Sequence, residues 1–105
     1  MACVYFLWSE TLTRYYTGSC LDLAMRLAEH KEKRYSDSYT ASANDWVLFF
    51  SIDNLNYSQA RKIESHVKRM KSKTYIENLK KYPEMVQKLL DRFQVWHFKM
   101  VVALV

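Results

Sequence analysis

Glycine and proline are almost missing: the 105 residues contain one of each, where average usage would supply glycine at about 7% and proline at about 5%. Such scarcity predicts few loops that need special backbone angles, and it makes the single glycine, Gly18, a residue to account for. Cysteine is nearly as scarce, with Cys3 and Cys20 alone, and reduced thiols in a cytoplasmic protein are expected of them. No apolar run is long enough to span a bilayer, since the longest, Val95 to Val105, is broken by His97 and Lys99. Met1 to Trp8 is apolar but lacks the basic start and small-residue cleavage site of a secretory signal. A chain of 12.6 kDa is one domain, which excludes a multi-domain enzyme or a repeat array.

What is present is apolar and basic. Half the residues are hydrophobic, 15% are aromatic and 26% are charged, a balance that excludes disorder. The net charge of +5 suits an anionic partner such as nucleic acid or a membrane surface. The excess is local. Between Arg61 and Lys81, eight basic residues face two acids, Glu64 and Glu77, so this segment alone carries +6 and the remainder is about neutral.

Patterning orders the elements as ββαβααα. Cys3 to Trp8 and Arg14 to Thr17 read as two strands of a hairpin. Leu21 to about Lys33 reads as an amphipathic helix with Leu21, Ala24, Met25 and Ala28 inward, Leu23 and Leu27 alongside, and Asp22 in its first turn. Arg34 to Asn44 has no period, and Trp46 to Ile52 suits a buried strand. Cap residues from Asn54 to Ser58 precede a helix over about Tyr57 to Lys71, with Ala60, Ile63, Val67 and Met70 as its stripe. A third helix is expected near Thr74 to Lys81, and Pro83 can open a fourth whose face is Met85, Val86, Leu89, Leu90 and Phe93. From Trp96 to Leu104 the residues fit a strand and a helix equally well.

Several residues could carry chemistry. Gly18 closes the second strand, where glycine implies a positive φ, a close approach to the backbone, or a plain turn. Asp22, Arg26 and His30 recur every four residues and share one helix face, opposite the Leu and Ala stripe. Guanidinium offers a planar fork of donors to a phosphate, and imidazole exchanges a proton near neutral pH. The same face also reads as a solvated one holding an ordinary Asp22 to Arg26 pair. Glu64 sits at the edge of its helix stripe between Ala60 and Val67. A partly shielded carboxylate there is either a hard ligand of the kind Mg²⁺ takes or the partner of Lys68 one turn on.

Taken in order, Cys3-Val4-Tyr5, Tyr16-Thr17-Gly18, Arg26-x-x-x-His30 and Ala60-Arg61-Lys62-Ile63-Glu64 resemble the GIY-YIG endonuclease superfamily. The likeness is to its small single-domain form, similar to the N-terminal part of excision-repair incision subunits. It covers about residues 2–90, with 11 residues from Tyr5 to Tyr16, 10 from Tyr16 to Arg26 and 4 from Arg26 to His30. Four elements in order carry a weight that no single tripeptide has.

The resemblance implies an α+β fold, a three-stranded antiparallel sheet flanked by helices, with the functional groups on one concave face. It implies Tyr5, Tyr16, Arg26, His30 and Glu64 as catalytic residues, Glu64 as the ligand of one Mg²⁺ that Mn²⁺ could replace, Gly18 as structural, and Asn78 as a loosely assigned further site residue. Arg26 would brace the phosphate, and one of the tyrosines, assisted by His30, would take the proton of the attacking water. The activity implied is Mg²⁺-dependent hydrolysis of phosphodiester bonds in DNA with low sequence selectivity, in repair or recombination. The alternative is a catalytically silent nucleic-acid-binding module with the same fold. DNA would be held by Arg61, Lys62, Lys68, Arg69, Lys71 and Lys73.

Cys3 and Thr17 depart from the family tripeptides at backbone or packing positions. Ser19 stands where some branches have lysine, which would shift phosphate contact to Arg14 or Lys31. A nuclease domain over residues 1–93 is expected, followed by an apolar tail, 94–105, able to serve a homo-oligomer or a protein partner, with no membrane association.

Overall fold

The computed structural model describes residues 1–31 and 43–94. Its elements follow the expected order: β1 (Ala2–Ser9), β2 (Arg14–Cys20), α1 (Leu23–Lys31), β3 (Val47–Leu55), α2 (Tyr57–Met70), α3 (Lys73–Lys81) and α4 (Pro83–Arg92). The strands form one antiparallel sheet in the order β2-β1-β3. The continuation of the first helix to Lys33, the aperiodic stretch from Arg34, and the tail from Val95 lie outside the described residues.

β1 is central, and both its faces are covered, which is why its sequence is an unbroken apolar run. Ala2, Val4 and Phe6 face α2, α3 and α4, whose Ala60, Ile63, Val67, Ile76, Leu79 and Leu89 complete one core. Cys3, Tyr5 and Leu7 face the other way, with Cys20 and, at its margin, Leu23 and Leu27 of α1. Fully burying a Val, Leu or Phe side chain is worth roughly 1.5–3 kcal/mol, so the larger core, against α2 to α4, carries most of the stability. The apolar run of β3 reads in sequence like that of β1, but β3 is an edge strand: Val47 and Leu48 are exposed and only Ile52 and Leu55 are buried.

Helix boundaries follow their caps. The Asn56 side chain accepts from the Ser58 amide at 2.9 Å, Ser72 Oγ accepts from the Tyr75 amide at 3.0 Å, and Pro83 occupies the first turn of α4. α1 starts two residues later than its apolar pattern suggests because Asp22 caps it from outside, accepting from the Met25 amide at 3.0 Å. Lys71 ends α2 in the left-handed region with φ 48. Met70, beside it, is exposed and drops out of the expected stripe.

The orientation of α1 corrects the sequence expectation. Leu21 and Met25 are 68% and 60% exposed, and Ala24 and Ala28 are exposed too, whereas His30 is buried. The inward face is Leu23, Arg26, Leu27 and His30. The sheet face under α1 presents the Tyr5 hydroxyl, which supplies a hydrogen bond to the imidazole, so that burying His30 leaves no polar group unpaired.

Backbone angles remove one of the alternatives open at Gly18. Among the described residues three non-glycines, Thr13, Asn54 and Lys71, have positive φ, while Gly18 does not. Gly18 is neither a turn nor a strand exit: β2 continues past Thr17 to Cys20 because its pairing with β1 runs on to Cys3.

The hairpin turn is held from a distance. Asp45, just before β3, accepts from Ser9 Oγ at 2.6 Å, from the Thr11 amide at 2.8 Å and from Thr11 Oγ1 at 2.9 Å. These bonds stabilise the carboxylate and lower its pKa to about 2. A carboxyl depressed on folding stabilises the native state above its unfolded pKa, about 3.9, and that contribution is lost as pH falls through the folded value. Asp45→Asn is therefore expected to lower the melting temperature at pH 7, with the deficit against the parent shrinking between pH 4 and pH 2. A deficit independent of pH would show that the charge of Asp45 contributes nothing.

Candidate active site

On the α1 side of the sheet, alternation brings Tyr5 of β1 and Tyr16 of β2 to one face. Tyr5 is fully buried, and its hydroxyl shares a 2.8 Å hydrogen bond with His30 Nε2. The three rings form a cluster with centroid separations of 6.2 Å for Tyr5 and Tyr16, 5.8 Å for Tyr5 and His30, and 5.2 Å for Tyr16 and His30. Gly18 is the partner of Tyr5 across the ladder, and a Cβ there would meet the Tyr5 ring at 2.5 Å. Gly18 thus serves by having no side chain: the phenol lies over its backbone.

Arg26, one helical turn before His30, adds its charge to this cluster. Burial first, then the Arg26 guanidinium, push the His30 pKa below the ordinary histidine value, with Glu29 opposing. Imidazole is consequently neutral at pH 7. Tyr5 is pushed well above the usual phenol range, mainly by burial and next by Tyr16, against the pull of Arg26. Both groups of the 2.8 Å bond are uncharged at neutral pH, with one proton between them to share.

Glu64 arrives from the other side. It lies on α2, whose stripe packs against the opposite face of the sheet, and its side chain is 15% exposed. Ser19 Oγ donates to Oε1 at 2.5 Å, and Lys68 Nζ donates to Oε2 at 2.7 Å. The Lys68 ammonium also stands 5.7 Å from the centroid of the Tyr16 ring. β2 is an edge strand, so a long side chain can reach around it, and Lys68 joins Glu64 to the tyrosine cluster in two short steps. The expectation of one concave sheet face becomes two sets of groups that meet around the edge of β2.

Hollows along that edge are lined by basic residues. A cleft of about 270 Å³ holds Arg26 and Arg61 beside Ser19. A second is lined by Glu64, Lys68, Arg69 and Lys71 together with Arg61, and a third by Arg14, Tyr16, Lys68, Lys71 and Lys73. Lys62 is exposed on α2. The last two residues of the +6 segment point elsewhere: Lys80 lies over the Phe49 ring at 4.6 Å and Lys81 over that of Tyr82 at 5.3 Å. Lys31 lines a separate hollow with Trp46. Asn78 lies in α3, where its carbonyl accepts from the Tyr82 amide at 2.8 Å; the α3 residue that reaches β2 is its neighbour Glu77, which accepts from the Tyr15 hydroxyl at 3.2 Å.

Ser19 is the residue that sequence reading undervalues. With β2 taken to end at Thr17, Ser19 has no assigned face; with β2 extended to Cys20, alternation puts it beside Thr17, facing α2. There it orients the carboxylate.

Among the described residues no three histidine, cysteine or acidic side chains gather as a metal cage. Mg²⁺ does not require one, since it binds through one or two carboxylates and keeps waters and substrate phosphates as its other ligands. A single carboxylate held by Ser19 at the rim of a basic cleft fits that donor chemistry.

Comparison with known proteins agrees with the motif order and the topology. The family model for the GIY-YIG catalytic domain matches residues 1–82. No curated protein and no solved structure matches the chain. With the family's domain matched over most of its length, and with the sheet and motif residues arranged as described, this chain is a member of the GIY-YIG superfamily, whose catalytic domain is a nuclease domain.

Proposed function

We propose that the protein is a Mg²⁺-dependent endonuclease that hydrolyses phosphodiester bonds in DNA with little sequence selectivity, serving repair or recombination, and that residues 1–93 form its nuclease unit. The observation that carries this reading is the Tyr5 to His30 hydrogen bond, with Tyr16 and Arg26 beside it and Lys68 linking Tyr16 to Glu64. The burial of Leu89 in the common core supports counting α4 in that unit.

Arg26 and Arg61, lining one cleft, take the scissile phosphate, where fixed guanidinium donors stabilise the charge that grows during attack. Tyr16 is half-buried and Tyr5 is sealed, which supports Tyr16 as the tyrosine that meets the water. Tyr16 lies beside both members of the Tyr5 to His30 bond, its ring centroid 6.2 Å from that of Tyr5 and 5.2 Å from that of His30. The water proton passes to the Tyr16 oxygen as Tyr16 releases its own to the Tyr5 oxygen, and the Tyr5 proton moves to neutral His30 Nε2. This relay removes the need for a free tyrosinate, which a phenol of pKa about 10 would form only at a cost. Glu64, oriented by Ser19, would hold Mg²⁺ or Mn²⁺, which supplies Lewis-acid stabilisation of the phosphate and the leaving oxygen. Lys68 exchanges its carboxylate partner for a phosphate when DNA arrives.

Incubation with duplex, nicked, flapped and branched DNAs, with Mg²⁺ or with a chelator, tests the reading. Cleavage of at least one substrate, abolished by chelator, is expected; DNA binding without cleavage of any would identify a silent binding module instead.

The basic rim makes a further prediction. Charge reversal at Arg69, Lys71 and Lys73, which leaves the Lys68 to Glu64 pair intact, should weaken DNA binding at low salt. The slope of log K against log salt should become shallower by about 0.9 for each phosphate that is no longer neutralised. An unchanged slope in a salt titration would reduce these residues to a solvated face.

A further inference from the structure

Cys3 and Cys20 lie directly opposite each other in the β1 to β2 ladder. Their sulfurs are 3.6 Å apart and both thiols are free. Facing residues of an antiparallel pair have Cα separations of about 4.5 or 5.5 Å, inside the range that a disulfide bridges, and the sulfurs need to close by only about 1.5 Å to bond. Both thiols are buried, with Cys3 6% and Cys20 3% exposed, and what separates them is position: Cys20 lines the cleft that contains Ser19, Arg26 and Arg61, while Cys3 lies behind it on the central strand.

We propose that Cys20 and Cys3 are an attacking and a resolving thiol, a modification site that accepts a low-molecular-weight peptide disulfide through this cleft and closes to an intramolecular disulfide. Asp22 and Glu29 also line the cleft with the two arginines, so it offers both signs of charge to a zwitterionic disulfide such as oxidised glutathione. In the first step Cys20 loses its proton to solvent and the thiolate attacks one sulfur of the reagent. The reagent's S–S bond breaks, and one glutathione leaves as thiolate and takes up a proton. In the second, Cys3 loses its proton and attacks Sγ of Cys20, the mixed disulfide breaks, and the second glutathione leaves as thiolate and is protonated in turn. Two protein thiols are oxidised by two electrons and one glutathione disulfide is reduced to two thiols.

Burial, and then the neighbouring Cys20, push the Cys3 thiol up to about 12, and Asp53 adds to the effect. Burial, the largest of these causes, persists once Cys20 carries the adduct, so thiolate at Cys3 stays scarce at neutral pH and the adduct on Cys20 should be detectable before it resolves. While it persists, the added group occupies the cleft beside Arg26 and Arg61.

The test is incubation of the folded protein with oxidised glutathione at neutral pH, followed by intact mass and peptide mapping. The expected course is a glutathionyl adduct on Cys20, replaced by a species lighter than the starting protein by two hydrogens with Cys3 linked to Cys20, and reversed by dithiothreitol. The linked form should melt at a higher temperature. Cys3→Ser should stop at the adduct, and Cys20→Ser should give neither product over the same time. Circular dichroism and melting establish that each variant is folded, with Cys3→Ala and Cys20→Ala as second choices where serine unfolds the strand. Thiols that stay unmodified in the native parent but react in the denatured chain would overturn the proposal, as would adduct formation at Cys3 at the parental rate when Cys20 is replaced. None of these readings depends on nuclease activity.

Discussion

Glu64→Gln should lower metal-dependent cleavage by at least about 100-fold, the order that a single electrostatic contributor to a transition state commands, while DNA affinity stays equal or rises. The glutamine keeps an oxygen for the Ser19 hydroxyl, which now donates to Oε1 at 2.5 Å, so side-chain position is preserved. What disappears is the negative charge, and with it the quality of the group as a Mg²⁺ ligand and its repulsion of DNA phosphates. The salt bridge to Lys68 is also lost. That pair spans one helical turn and its lysine is about half exposed, a situation worth only about 0.3–0.5 kcal/mol, so the melting temperature should barely move. Released from Glu64, Lys68 gains freedom to contact phosphate, which supports the expected rise in affinity. Cleavage reduced only in step with weaker binding and earlier melting would make Glu64 a structural partner of Ser19 and Lys68, with the metal held elsewhere.

Gly18→Ala should destabilise the protein by about 1–3 kcal/mol, the usual cost of forcing extra volume into a packed core, and should cut activity with it. The sign is the informative part. Gly18 lies inside β2 without a positive φ, so alanine is conformationally acceptable there, and on backbone entropy alone the substitution would stabilise by about 0.5–1 kcal/mol. The opposing effect is steric: an added Cβ meets Cζ and the hydroxyl oxygen of Tyr5, both at 2.5 Å. Tyr5 cannot swing away cheaply, because it is fully buried and its hydroxyl is bonded to His30. Displacing it breaks that bond to the buried imidazole. For a domain of this size each kcal/mol corresponds to about 4–8 °C in melting temperature, which calorimetry resolves. A melting temperature that rises in Gly18→Ala would mean that Tyr5 has room to spare and that its position over Gly18 places no demand on the strand.

Much of the site is legible because it is carried by spacing within continuous elements. Tyr5 and Tyr16 alternate onto one face of adjacent strands, and Arg26 and His30 are one helical turn apart, so local periodicity suffices to align them. Glu64 is identifiable from its position at the margin of the α2 stripe. Ser19 and the bridging role of Lys68 are not readable in the same way. Each depends on where an element ends or which sheet edge is free, and those are outcomes of strand pairing rather than of residues in a window. Asn78, assigned by resemblance, lies in α3 one residue beyond the acid that contacts β2.

The same division holds for the fold. Seven elements and their order follow from apolar periodicity, from Asn56, Ser72 and Pro83 as helix starts, and from the contrast between short apolar runs and longer amphipathic ones, because these signals act over a few residues. The run of β1 and the run of β3 look alike as strings, and only pairing in the order β2-β1-β3 made the first central and buried and the second an exposed edge. The face that α1 turns inward was likewise decided by its partner. The Leu21 and Met25 stripe is the more apolar, yet His30 is buried, since across from it the sheet offers the Tyr5 hydroxyl, and a buried imidazole with a hydrogen bond costs little where an unpaired one would cost much. Gly18 shows the limit most plainly. Its rarity in the chain marked it as necessary, but the necessity is the space taken by a phenol thirteen residues earlier, and that is a fact of packing across two strands that no local stretch of sequence contains.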